Sequence, residues 1–103
     1  MVTSTTPVAV RRALREVGDD FATWRKLRRL TMAEVAERAG VGVNTVQRLE
    51  KGEGSTLENV LRVARALGVL EVLTASLDPY QTDLGRLRSD EALPERIRHR
   101  RTS

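Results

Sequence analysis

The side chains of greatest chemical interest lie between residues 43 and 51. In this segment Val46 and Leu49 are three residues apart, the spacing of the inner face of a helix. The side chains that point elsewhere are Val43, Asn44, Gln47, Arg48 and Lys51. Amide, guanidinium and ammonium groups donate hydrogen bonds, and these side chains are long enough to reach a partner. Taken alone, the set is an ordinary solvated helix face, so its meaning depends on the elements around it.

The rest of the composition does not favour catalysis or metal binding. The chain has no cysteine, and its one histidine, His99, lies in a basic segment. The sequence contains no glycine-rich phosphate loop and no acidic cluster spaced for a metal ion. We therefore expect no enzyme, no catalytic residue, no metal site and no cofactor.

Length and composition predict a small helical domain. The 103 residues are 40% hydrophobic but only 3% aromatic, so one core must be built from leucine, valine and alanine. Apolar runs are short, and no charged and apolar leader is evident, so we expect a cytoplasmic bacterial protein without a membrane segment. The net charge of +4 favours polyanionic partners only weakly when taken alone.

Capping residues and apolar spacing divide the chain into about five short helices. The first is expected to end at Gly18, and the second to contain Phe21 and Trp24. Thr31 with Glu34, and Ser55 with Glu58, are spaced as capping boxes that begin the third and fifth helical segments. An apolar helix follows over residues 69–77, and the chain beyond residue 78 is expected to be extended or weakly ordered.

These segments predict an all-α fold, a compact helix bundle followed by a flexible charged tail. We expect an N-terminal extension with a short amphipathic helix over residues 1–19. A DNA-binding domain is expected over residues 20–78, on the resemblance described next, and a charged basic tail over residues 79–103.

The string LTMAEVAERAGVGVNTVQRLEKG, residues 30–52, resembles the helix-turn-helix motif of the Xre/Cro/CI class of phage repressors and bacterial regulators. The small, turn and apolar positions of that motif correspond to Ala36, Gly40, Val46 and Leu49. A small residue lets two helices cross closely, glycine permits the turn, and apolar residues anchor the second helix. The resemblance covers roughly residues 21–77 and implies a lambda-repressor-like domain that binds double-stranded DNA.

The resemblance also implies roles for individual residues. The positions that read bases in the family match Val43, Asn44, Gln47 and Arg48, and those that touch phosphates match Thr45 and Lys51. Arg25 and Glu50 match an ion pair that ties the preceding helix to the end of the recognition helix.

This sequence departs from the family pattern at two positions. Met32 stands where the family usually has a glutamine that bonds a phosphate, and methionine cannot do so. Arg29 stands where the family often has glycine. The loop is therefore expected to take another conformation, or Arg29 to reach a DNA phosphate.

Two functions fit this resemblance. The first is a transcriptional repressor that binds a palindromic operator as a homodimer, with Leu70, Leu73 and Leu77 as the dimer contact. The alternative is an antitoxin similar to the HipB-like partners of HipA-type toxins, which binds a toxin protein and autoregulates its operon. The basic segment RIRHRR at residues 96–101 fits either an arm along DNA or a solubilising tail. The operator, the target genes and the means of release are not encoded in any motif.

Overall fold

The computed structural model describes residues 5–92, and within that range the chain is helical with no strand. The helices are α1 (Val8–Leu27), α2 (Met32–Ala39), α3 (Val43–Glu50), α4 (Leu57–Leu67), α5 (Leu70–Ser76) and α6 (Asp83–Ala92), with a 3-10 turn at Pro79–Gln81. The all-α prediction is confirmed. The basic segment 96–101 and His99 lie outside the described residues. The chain forms two compact units that divide after Leu70.

The core of the first unit is formed by short apolar side chains from four helices. The buried members are Phe21, Val35, Ala36, Ala39, Val46, Leu49, Val63, Ala64, Leu67 and Val69. Burying one side chain of valine or leucine size stabilises the folded state by roughly 1.5–3 kcal/mol. The first unit therefore has one core that is built mainly from valine, leucine and alanine, as the composition predicts, with Phe21 as its aromatic member.

Helix α1 corrects the prediction of two helices separated at Gly18. The helix runs without a break from Val8 to Leu27, and Gly18 is a buried residue near the middle of its length. A Cβ atom on Gly18 would lie 2.3 Å from the carbonyl oxygen of Leu49 and 2.9 Å from that of Glu50. Glycine is present at this position because α3 approaches the helix backbone, and it does not end the helix.

The ends of α2 and α4 show how local signals set helix boundaries. At α2 the predicted capping box is confirmed, because Thr31 Oγ1 accepts from the Glu34 amide and the Glu34 carboxylate accepts from the Thr31 amide. At α4 the prediction of Ser55 as the cap is wrong. Thr56 caps that helix by accepting from the Asn59 amide, and Glu58 pairs with Arg62 four residues later.

Arg28 connects the end of α1 to the end of α4. Its Nε donates to the carbonyl oxygen of Leu67 at 2.9 Å, and its guanidinium lies 5.4 Å from the ring centre of Trp24. The guanidinium also lies against Gly68, where a Cβ atom would be 2.9 Å from Arg28 Nη2. This contact satisfies a carbonyl that the helix itself leaves without a partner.

Residues 79–92 are largely helical, which corrects the prediction of an extended or weakly ordered chain for that part of the C-terminal segment. Asp78 accepts from the Tyr80 amide, with Pro79 at the first position of the 3-10 turn, and Thr82 Oγ1 accepts from the Gly85 amide at the start of α6. A Cβ on Gly85 would overlap the Pro79 carbonyl, so α6 is packed onto the turn. The pairs Asp78-Pro79 and Thr82-Asp83 are both start signals for helical turns. The charged composition of this segment led to the prediction of an extended chain in spite of them.

Candidate nucleic-acid interface

Helices α2 and α3 form a helix-turn-helix whose inner side chains are buried. Val46 and Leu49, the apolar positions of α3, are 1% and 4% exposed, and Ala36 of α2 is also buried. Between the helices Gly40 has a φ of 71°, a left-handed conformation that is strained for most other residues. Its neighbour Val41 donates from its amide to the Ala36 carbonyl. Each of the four motif residues therefore lies where the turn and the crossing of the helices require it.

The outer face of α3 is accessible, and its polar side chains have no partners within residues 5–92. Asn44, Gln47 and Arg48 are exposed, Val43 is 45% exposed, and Thr45 is half-buried. Among the described residues, none of the Asn44, Gln47 and Arg48 side chains makes a hydrogen bond or ion pair. Their amide and guanidinium donors are available to an external partner.

The end of α3 is fixed by an ion pair with α1. Arg25 Nε lies 2.7 Å from Glu50 Oε2, and Arg25 Nη2 lies 3.0 Å from Glu50 Oε1. Arg25 Nη1 also donates to the Leu30 carbonyl, so the guanidinium binds both the Glu50 side chain and the backbone just before α2. The hydrogen bonds that Arg25 donates to the Glu50 carboxylate raise the pKa of Arg25 above its ordinary value, against a smaller opposing effect of burial. The pair that the resemblance implies is present, and it is bidentate and largely shielded from solvent.

In the loop between α1 and α2 the backbone of Arg29 takes an unusual conformation. Arg29 has a φ of 59°, so it adopts the left-handed conformation although it is not a glycine. This is a conformation that glycine adopts readily, and the contact of Arg29 with a DNA phosphate stays a prediction. The Arg29 side chain is exposed and, within residues 5–92, has no hydrogen-bond partner. Met32 is half-buried at the first position of α2.

Comparison with known families shows what this arrangement is. The helix-turn-helix family matches residues 21–71, which contain α2, α3 and α4 entirely. Residues 21–71 belong to the helix-turn-helix family. This match identifies the protein as a DNA-binding transcriptional regulator. No curated protein and no solved structure matches the chain significantly. No helix among the described residues is long and apolar enough to span a membrane.

The other predicted site residues lie around this motif. Lys51 is exposed directly after α3, Leu70 and Leu73 are half-buried in α5, and Leu77 after that helix is exposed. The sequence analysis did not find the structural roles of Gly18 and Arg28. A signal for Gly18 was available, because Leu14 and Phe21 are seven residues apart on one helical face and indicate a continuous helix.

Proposed function

We propose that this regulator is a repressor that binds a palindromic operator as a homodimer, with α3 in the major groove. The observation that carries this proposal is the outer face of α3. There Asn44, Gln47 and Arg48 are exposed and have no partner in the described part of the chain, while Val46 and Leu49 anchor the helix. A face of this kind presents hydrogen-bond donors on a rigid element, as base recognition requires.

The side-chain chemistry of α3 suits direct readout of base edges. Asn44 and Gln47 are each able to pair bidentately with adenine, and Arg48 with guanine. Val43 supplies an apolar contact for a thymine methyl group. A good bidentate pair contributes roughly 1–3 kcal/mol of discrimination against the wrong base. Thr45, Lys51 and Arg29 are proposed to contact phosphates, which set the position of the helix without reading sequence.

A homodimer is supported by apolar side chains outside the family match. Leu77 is 80% exposed, and Val72, Leu84 and Leu87 of the same unit are exposed as well. Isologous dimers need a self-complementary apolar patch, and two recognition helices roughly 34 Å apart match one turn of DNA. The residues proposed for this contact remain Leu70, which is inside the family match, and Leu73 and Leu77, which follow it.

The experiment that tests base reading starts with selection of a preferred duplex from a random library. The wild-type chain is then titrated against the selected duplex and a scrambled duplex of equal length. We expect Asn44→Ala and Arg48→Ala to lose the preference between duplexes. Lys51→Ala should weaken binding to both and reduce the salt slope by about 1. Arg65→Ala, which removes an exposed charge from α4, is the control. Equal effects of all four substitutions on both duplexes contradict base reading by α3.

The dimer is tested by sedimentation of the wild-type chain and of Leu73→Glu. The charged variant should sediment as a monomer, because a carboxylate in an apolar interface loses its solvation. A variant that remains dimeric places the interface elsewhere. A wild-type chain that is monomeric alone but purifies with a second protein from its own cells favours the antitoxin alternative, since the same exposed leucines would then cover a partner.

A further inference from the structure

Helix α1 extends beyond the family domain at its N-terminal end. The family match begins at residue 21, whereas α1 begins at Val8, so residues 8–20 add roughly 20 Å of helix to the domain. We refer to residues 8–20 as the helical extension. The proposed function assigns no role to it.

The helical extension lies against the C-terminal end of α3. A Cβ atom on Gly52, the second residue after α3, would lie 2.9 Å from Arg15 Cγ and 3.0 Å from Arg15 Cα. One turn further along, Gly18 lies against the carbonyl oxygens of Leu49 and Glu50. The extension is therefore held beside the residue proposed to contact phosphate, Lys51, by backbone contacts at two points.

The two flanks of the helical extension differ in character. Its apolar flank, with Val10, Leu14 and Val17, lines a groove of about 230 Å³ that Val60 of α4 closes on the other side. The arginines Arg11, Arg12 and Arg15 lie away from that groove and are exposed.

The exposed arginines of the helical extension include two whose charge is not paired within the described residues. Arg11 donates to the Thr6 carbonyl, whereas the Arg12 and Arg15 side chains make no hydrogen bond or ion pair among the described residues. The acidic residues nearest in the chain to Arg15 and Lys51 are Glu16, Glu50 and Glu53. Because Glu50 is paired with Arg25, the arginines together with Lys51 outnumber the other two carboxylates.

From this placement we propose that the helical extension is a second DNA-backbone contact, in which Arg12 and Arg15 bind phosphates adjoining those bound by Lys51. The partner is the phosphate backbone because guanidinium groups pair bidentately with phosphate, and because Arg15 lies against Gly52, next to Lys51 at the end of α3. The contact carries no base information. It lengthens the footprint and increases affinity for all duplexes. The inference rests on the proposed function, which places α3 in the groove.

The test compares Arg12→Gln/Arg15→Gln with the control Arg65→Gln/Arg88→Gln, which removes two exposed arginines from α4 and α6. Both variants are checked for helix content and titrated against the selected and scrambled duplexes over a range of salt concentrations. Two phosphate contacts contribute about 1.8 to the slope of log K against log salt. If the variant and the wild type bind equally at 1 M salt, this difference in slope makes the variant bind up to roughly 60-fold more weakly than the wild type at 0.1 M salt. The loss should be equal for both duplexes.

The expected result is a smaller salt slope for the Arg12 and Arg15 variant than for the control, with the preference between duplexes retained. Ethylation interference should also show that the variant no longer senses phosphates at the outer edge of each half-site. Equal slopes for the variant and the control overturn the backbone contact. A wild-type chain that does not prefer the selected duplex overturns base reading instead, and the slopes still decide whether the extension binds phosphate.

Discussion

The close approach of α1 and α3 at Gly18 makes a sharp prediction for Gly18→Ala. Helix propensity alone favours the substitution, because alanine in a helix interior is more stable than glycine by about 1 kcal/mol. Packing opposes it. The new methyl group would lie 2.3 Å from the Leu49 carbonyl oxygen, whereas ordinary contacts begin near 3.4 Å. The two effects have opposite signs, so the sign of the measured change shows which one dominates.

The magnitude follows from what must move. The two helices have to separate by roughly 1 Å, a gap that forfeits a quarter to a half of the dispersion energy of each contact across it. Overpacking a core costs about 1–3 kcal/mol, and the obstacle here is helix backbone, which cannot rotate away, so the upper end applies. After the gain from helix propensity, we expect a net loss of about 2 kcal/mol. In a domain of this size that corresponds to a decrease in Tm of roughly 8–16 °C.

Urea and thermal unfolding followed by circular dichroism measure this change. Asp20→Ala is the matched control, because it places the same residue two positions away on an exposed part of α1. The control should be as stable as the wild type or slightly more stable. If Gly18→Ala is also as stable as the wild type, the helices do not approach as closely as the structure shows, and the account of Gly18 is wrong.

Four further substitutions test the loop, the turn and the ion pair. Arg29→Gly should raise the free energy of unfolding by about 1 kcal/mol, because the left-handed conformation costs an L-residue that much; an unchanged urea midpoint contradicts this. Gly40→Ala should lower the free energy of unfolding by about 1 kcal/mol, because alanine would have to adopt the left-handed φ of 71°. A more stable variant would show that the turn adopts another conformation. A double-mutant cycle with Arg25→Met and Glu50→Gln should give a coupling energy of about 1–3 kcal/mol, whereas additive effects would show that the bidentate pair contributes nothing beyond its separate parts.

Local chemistry was enough to predict much of the motif from sequence. Thr31 and Glu34 have the spacing of a capping box, and they form one in the structure. Gly40 adopts the left-handed conformation that its position after an apolar helix indicates. Val46 and Leu49 are buried because a period of three to four residues places them on one face. Each of these features depends on residues within a single turn or on one helical face.

Features that join distant parts of the chain were decided only by the tertiary structure. The sequence cannot distinguish a glycine that ends a helix from one that admits a neighbouring helix, and Gly18 is the second kind because residues 49 and 50 lie against it. Arg28 contacts the Leu67 carbonyl 39 residues away, a separation that has no periodic signature. Arg25 and Glu50 were paired through the family resemblance, but their bidentate geometry exists only after α1 and α3 pack. Helix periodicity is a property of the local chain, whereas close approach depends on where the neighbouring backbone lies.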